Sequence, residues 1–120
     1  MTIPTVREVL DALDKVVREF GADYQYPDSH RNSDQMCMYV YDGKPDCIAA
    51  QVFVRLGVSV SDLAQYEGSA AYTVFERVFG KYNGGGASVL TFAQSAQDGR
   101  ATWGAARDVA YEVARERGWL

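Results

Sequence analysis

The sequence predicts a mainly α fold, a compact bundle of about six helices with one small two-stranded antiparallel hairpin. Three observations carry that expectation. Apolar residues recur at helical spacing at both ends of the chain, Ser, Thr and Asp before such segments and Gly after them act as caps and stops, and β-prone residues are confined to two short Tyr-rich stretches. With 120 residues, 48% hydrophobic and 23% charged, the chain suits one domain over residues 1–120 and is too short for two.

Thr5 and Glu8 form a Thr-x-x-Glu capping box, in which side chain and backbone satisfy each other's unpaired groups. Val6, Val9, Leu10, Leu13, Val16, Val17 and Phe20 then follow at 3.6-residue spacing, and Gly21 stops the helix. "DYQY" (23–26) and "MCMYVY" (36–41) are the Tyr-rich stretches, and they are expected to pair across the polar loop between them. Pro45 disfavours helix before it, and Asp46 is expected to cap a helix from Cys47 to Leu56 that Gly57 ends. Ser61 caps a short helix bearing Leu63 and Tyr66, and Ser69 caps "AAYTVFERVFG", which ends at Gly80. "KYNGGGAS" reads as a loop because three glycines in a row carry too much backbone entropy for a helix. Ser88 is expected to cap the next helix, "SVLTFAQSAQ". Thr102 caps the last one, with Trp103, Ala106, Val109, Ala110, Val113 and Ala114 facing inward.

Composition narrows function by exclusion. No run of 18 apolar residues occurs and the N-terminus carries acidic residues instead of a secretory apolar stretch, so a cytoplasmic protein with no membrane partner is expected. A net charge of −4 with twelve scattered basic residues disfavours a partner held by its phosphates. Cys37 and Cys47, ten positions apart with no C-x-x-C pair, are read as reduced packing thiols and not as a metal clip. His30, the one histidine, sits among Ser29, Arg31 and Asn32 and reads as a solvated loop residue. Asp42 and Asp46 flank a turn and read as turn and cap residues. "KYNGGGAS" lacks the Lys-Ser/Thr ending of a phosphate loop and the preceding strand. No catalytic residue, metal or cofactor is therefore assigned, and an enzyme is disfavoured; one acting on a small ligand or anion at the Ser88 helix start is a rival reading.

"AAQVFVRLGVSVSDLAQ" resembles the helix-turn-helix of repressors over about twenty residues, with Gly57 at its turn. Phe53 stands where that motif wants a small side chain. The recognition helix "SDLAQYEG" carries Asp62 and Glu67 with no Lys or Arg, and two carboxylates facing phosphates would repel. A tight helical corner is the expected role, with a DNA-binding regulator as the alternative.

Cys37 and Tyr39, then Gly43, Pro45, Cys47 and Ile48, then the corner Leu56, Gly57 and Val58, and later Gln94, Gln97, Asp98, Gly99 and Trp103 form two motif segments. Together they resemble a family of small uncharacterised proteins encoded by actinobacteria and their bacteriophages, whose pattern runs C-x-Y, G-x-P-x-C-I, an LGV corner and Q-x-x-Q-D-x-G-x-x-W; Gly99 directly follows Asp98 here, one position short of that pattern. Ala50 departs from it, standing where the family has glycine. The resemblance implies a phage or prophage setting and supplies no activity. The residual class is a non-enzymatic protein acting through a protein partner, either a host protein or a second copy of itself. Tyr24, Tyr26, Tyr39 and Tyr41, with Trp119 near the C-terminus, are the interface candidates, since tyrosine suits a surface that is both apolar and hydrogen-bonding.

Overall fold

The computed structural model describes residues 2–81 and 84–120. Tyr82 and Asn83 of the glycine-rich loop lie outside the described residues. Among the described residues are six α-helices: α1 (Val6–Phe20), α2 (Ile48–Arg55), α3 (Val60–Ala64), α4 (Ala71–Phe79), α5 (Gly86–Asp98) and α6 (Trp103–Glu116). They are joined by a single 3-10 turn at Asp28–His30 and one hairpin, β1 (Val40–Tyr41) with β2 (Lys44–Pro45). This is the mainly α fold with a small hairpin that the sequence predicts.

α1 starts on the predicted box, Glu8 N–H donating to Thr5 Oγ1 at 3.1 Å and Thr5 N–H to Glu8 Oε1 at 3.1 Å. Its buried stripe of Val9, Leu10, Leu13, Val16 and Val17 follows the helical period. α6 starts on Thr102 as expected and buries Trp103, Ala106, Ala110 and Ala114. Val109 is instead exposed, because the small alanines bring α6 close to its neighbours along a narrow stripe that Val109 lies outside. α5 is the central element, packed against α1, α2, α4 and α6. The core around it includes Trp103, Phe53, Phe75, Leu10, Leu13, Leu63 and Leu90, all fully buried. Among the described residues no helix is long and apolar enough to cross a membrane.

The hairpin forms, but with a different partner from the one expected. β1 pairs with β2 in the register Val40↔Pro45 and Tyr41↔Lys44. Asp42 and Gly43 turn between them with φ of 54° and 75°, the two positive angles that a type I′ turn requires. The same register continues through Asp46 N–H to Tyr39 O at 2.9 Å and Cys47 N–H to Met38 O at 3.2 Å. Closing a two-residue Asp-Gly loop costs less chain entropy than closing the long polar loop back to "DYQY". That stretch forms no strand: Tyr24 O accepts from Trp103 N–H at 2.8 Å, and just before the stretch Ala22 O accepts from Gly104 N–H at 2.9 Å, so these carbonyls complete the start of α6.

Four caps also differ. Cys47, not Asp46, is the N-cap of α2. Ser59, not Ser61, caps α3, its hydroxyl accepting from Asp62 N–H at 3.1 Å. Ala70 precedes α4, and Ser69 instead uses its carbonyl to accept the Tyr39 hydroxyl at 2.5 Å. α5 begins at Gly86, two residues before Ser88, after Gly85 with φ of 98°. α3 ends at Ala64, so Glu67 lies beyond it and not on a recognition helix; its carboxylate accepts Tyr39 N–H at 2.7 Å and Val40 N–H at 3.0 Å, holding the free side of the first strand.

Candidate functional site

The motif residues converge on the first turn of α2. Ile48, Ala49 and Ala50 are fully buried there, so water cannot satisfy their unpaired N–H groups. Two glutamines on α5 do so instead. Gln97 Oε1 accepts from Ile48 N–H at 2.8 Å and Gln94 Oε1 from Ala49 N–H at 3.0 Å. Gln97 is completely buried, and its amide nitrogen donates to Asp98 Oδ1 at 2.9 Å. The nearly buried guanidinium of Arg31 donates to Gln97 O at 3.4 Å and lies 5.5 Å from the Tyr26 ring centre, fastening the polar loop to the end of α5.

Gln94 also donates to Cys37 Sγ at 2.6 Å. Both cysteines are free. The Cys47 side chain first, then burial, then the Asp98 carboxylate push the Cys37 thiol well above the usual thiol range, since each favours the protonated form. Cys37 opens onto a cleft of about 250 Å³ with Met36, Ser69, Thr91 and Asp98 in its walls. Thr91 Oγ1 is buried with no hydrogen-bond partner among the described residues.

On the other side of the helix start lies a second cleft, of about 450 Å³, walled by Phe20, Tyr24, His30 and Tyr41 and rimmed by Asp42 and Lys44. Its back is a hydrogen-bonded chain. Asp46 Oδ1 meets His30 Nδ1 at 2.9 Å, Asp46 Oδ2 accepts the Tyr26 hydroxyl at 2.5 Å, and the Tyr26 oxygen accepts Met38 N–H at 3.0 Å. His30 is thus a held residue and not a freely solvated one: its ring also stacks on Tyr41 with centroids 3.7 Å apart and planes 11° from parallel. Asp46 fails to cap α2 because its carboxylate is committed here. Burial, then the hydrogen bond to Asp46, raise the Tyr26 hydroxyl far above the ordinary phenol value, and Tyr24 is raised by burial and the Asp46 charge.

The five proposed interface residues separate. Tyr41 is 42% exposed and Tyr24 is half-buried, and both line the second cleft. Tyr26 and Tyr39 are only 5% and 3% exposed, so they are core residues and present no surface to a partner. Their hydroxyls satisfy the loop and the α4 start, which is why tyrosine and not phenylalanine stands there. Trp119 is half-buried over Gly85, where an added Cβ would lie 2.7 Å from its ring, with Arg117 5.3 Å from the ring centre. Among the other motif residues, Gly43 makes the hairpin turn, Pro45 ends β2, and Trp103 packs edge-on to Tyr24 at 4.5 Å. Among the described residues no group of three or more His, Cys, Asp and Glu is placed to hold a metal ion.

The roles of Gln94 and Gln97 escape a helix-by-helix reading, yet a signal was present. Leu90, Ala93, Gln94 and Gln97 share one face of α5 at i, i+3, i+4 and i+7, and polar amides on a buried stripe must find partners on another element. Comparison with protein-family models, with curated proteins and with solved structures finds no match to this chain.

Proposed function

We propose that the protein is a non-enzymatic binding module that receives a basic, amphipathic segment of a protein partner in the Phe20, Tyr24, His30 and Tyr41 cleft. The observation that supports this reading most is the pairing of aromatic faces with carboxylates: Tyr41 is exposed yet stacked on a histidine that Asp46 fixes, and Asp42 stands on the same rim. A lysine or arginine entering there gains ring-face attraction and a carboxylate together, while the apolar side of the segment covers Phe20. Lys44 on the rim suits an acidic residue farther along the same segment. A His–Asp pair also invites a hydrolytic reading; among the described residues no Ser, Thr or Cys lines this cleft, so that reading would rest on water or a carboxylate as nucleophile. On this reading, and with the phage or prophage setting that the resemblance of the motif segments implies, the partner is either a host protein or a second copy of the chain.

The test is affinity capture from an actinobacterial lysate with the native chain and a Tyr24→Ala, Tyr41→Ala double variant, with size-exclusion of each alone. Tyr39 is unsuited to the comparison because it is buried. The expected result is an enriched protein, or a native dimer, that the double variant loses while its helical dichroism is unchanged. Capture of nothing, or identical capture by two monomeric chains, would overturn the reading.

A further inference from the structure

We propose that the basic residue received by the aromatic cleft is an arginine, whose guanidinium donates to His30 Nε2 and to the Asp42 carboxylate against the wall of Phe20, Tyr24 and Tyr41. This rests on the basic-segment reading above and adds which side chain is selected. The direction of each hydrogen bond behind the cleft leads to it. The Tyr26 oxygen accepts Met38 N–H at 3.0 Å, and its own proton goes to Asp46 Oδ2, the nearer acceptor at 2.5 Å. A carboxylate that accepts there brings no proton to its other side, so His30 Nδ1 carries the proton in the 2.9 Å contact with Asp46 Oδ1. In the neutral imidazole the remaining nitrogen, Nε2, is then a bare acceptor. It has no partner among the described residues, and its ring forms part of the cleft wall.

These groups suit a guanidinium better than an ammonium. A guanidinium is flat, weakly hydrated and carries five donors in its own plane, so its edge serves two acceptors while its face packs on a ring. An ammonium is compact and strongly hydrated, and it gives up water for one acceptor without gaining a flat contact. Ring surface is open to the ligand: Tyr41 remains 42% exposed although its stack with His30 covers one face. Asp42 and Asp46 face the single cation Lys44 on these walls, so the cleft favours a positive charge while His30 is neutral. Arg31, over the Tyr26 ring, does not compete, since Asp28 and Gln97 O engage it. An arginine N–H on Nε2 extends the chain that runs from Met38 through Tyr26 and Asp46 to His30, and the carboxylate behind the ring strengthens Nε2 as an acceptor.

The native chain is titrated in neutral to mildly alkaline buffer with the acetylated amide of Leu-Arg-Leu and with its lysine and citrulline counterparts. NMR follows the ring protons of Tyr41 and of His30, the chain's one histidine. The arginine peptide should bind on the order of tenfold more tightly than the lysine peptide, the worth of about one charge-assisted hydrogen bond, and the flat but uncharged citrulline peptide more weakly than either. Asp42→Asn keeps the φ of 54°, which asparagine tolerates as aspartate does, and should weaken arginine binding by roughly two- to fivefold. His30→Asn keeps a donor for Asp46 but lacks Nε2, and should bring the arginine and lysine peptides to within about twofold of each other. Equal or tighter binding of the lysine peptide to the native chain would overturn the arginine assignment and leave the basic-segment reading standing. Citrulline binding as tightly as arginine, or no binding by any peptide, would overturn both. An arginine preference that survives in folded His30→Asn, or arginine binding unchanged by Asp42→Asn, would overturn the acceptor set. Should His30→Asn fail to fold, the native comparison and Asp42→Asn decide.

Discussion

Gln97→Met tests whether α2 depends on acceptors supplied by α5. Methionine keeps the length and nearly the volume of glutamine and has a similar helix propensity, so neither a cavity nor a propensity change contributes much. What it removes is the Oε1 that accepts Ile48 N–H at 2.8 Å, in a turn where Ile48 and Ala49 are fully buried. An unsatisfied buried donor costs about 1–3 kcal/mol. With an unfolding entropy near 2.1 cal/mol/K per residue, the 120 residues give roughly 0.25 kcal/mol/K, so the midpoint should fall by roughly 4–12 °C. Urea titration followed by far-UV dichroism should show the loss at an unchanged slope, and amide exchange at Ile48 should accelerate more than at Leu13. Stability within about 0.5 kcal/mol of native, a difference typical of an inconsequential substitution, would refute the capping role.

Gly104→Ala should destabilise by about 1–2 kcal/mol in the same assay: the new Cβ would stand 2.8 Å from Ala22 O and Ala22 Cβ, and overpacking of this kind exceeds the helix-propensity gain of about 1 kcal/mol. A more stable variant would show that the Ala22 segment yields freely. Arg100→Gly should stabilise by about 0.5–1 kcal/mol, because Arg100 holds φ of 71° just after α5, a conformation that costs side-chain-bearing residues more than glycine; a loss would mean that its contact with Asp28 outweighs the strain. Alkaline titration should destabilise the fold from about pH 9 upward. Cys37, Tyr26 and Tyr39 hold their protons in the native state, so above the ordinary values of 9.0 and 10.0 the unfolded chain ionises first and binds fewer protons. Each group then subtracts about 1.4 kcal/mol per pH unit, and Tyr26→Phe or Tyr39→Phe should flatten the decline. Duplex DNA should show no stable complex at physiological salt, since α3 is five residues long and carries Asp62 with no basic residue; a tight mobility shift that competes by sequence and weakens steeply with salt would contradict this.

The terminal helices were legible because many residues repeat one pattern, as in α1 from Val6 to Phe20, where no single side chain decides the outcome. The caps were legible only where one candidate stood alone. Thr5 and Thr102 had no competitor, whereas Ser59 and Ser61, or Asp46 and Cys47, are adjacent choices that local chemistry barely separates. Tertiary demand made the choice: Asp46 was taken by Tyr26 and His30, leaving Cys47 at the cap position. The same limit explains the tyrosines. Tyr26 and Tyr41 look alike in sequence, but the Tyr26 hydroxyl meets a carboxylate inside the fold, while Tyr41 lies on the hairpin beside a turn. Burial of these residues is set by contacts between segments that periodicity within a segment does not encode.

Why two polar side chains from α5 should cap α2 follows from the size of α2. At eight residues it is shorter than a helix that persists alone, and its first turn is buried too deeply for hydration to satisfy its donors. A local Ser or Asp cap would satisfy those donors without tying the helix to anything. Capping from Gln94 and Gln97 fixes the helix start against the central helix and thereby fixes what flanks it. Asp46 is held one residue before the cap, facing His30 and the aromatic cleft, and Cys47 is held fully buried at the cap itself. The aromatic cleft is therefore anchored to the central helix, which gives a physical reason for glutamines at these positions and for the Pro-x-Cys-Ile spacing that sets the helix start beside it.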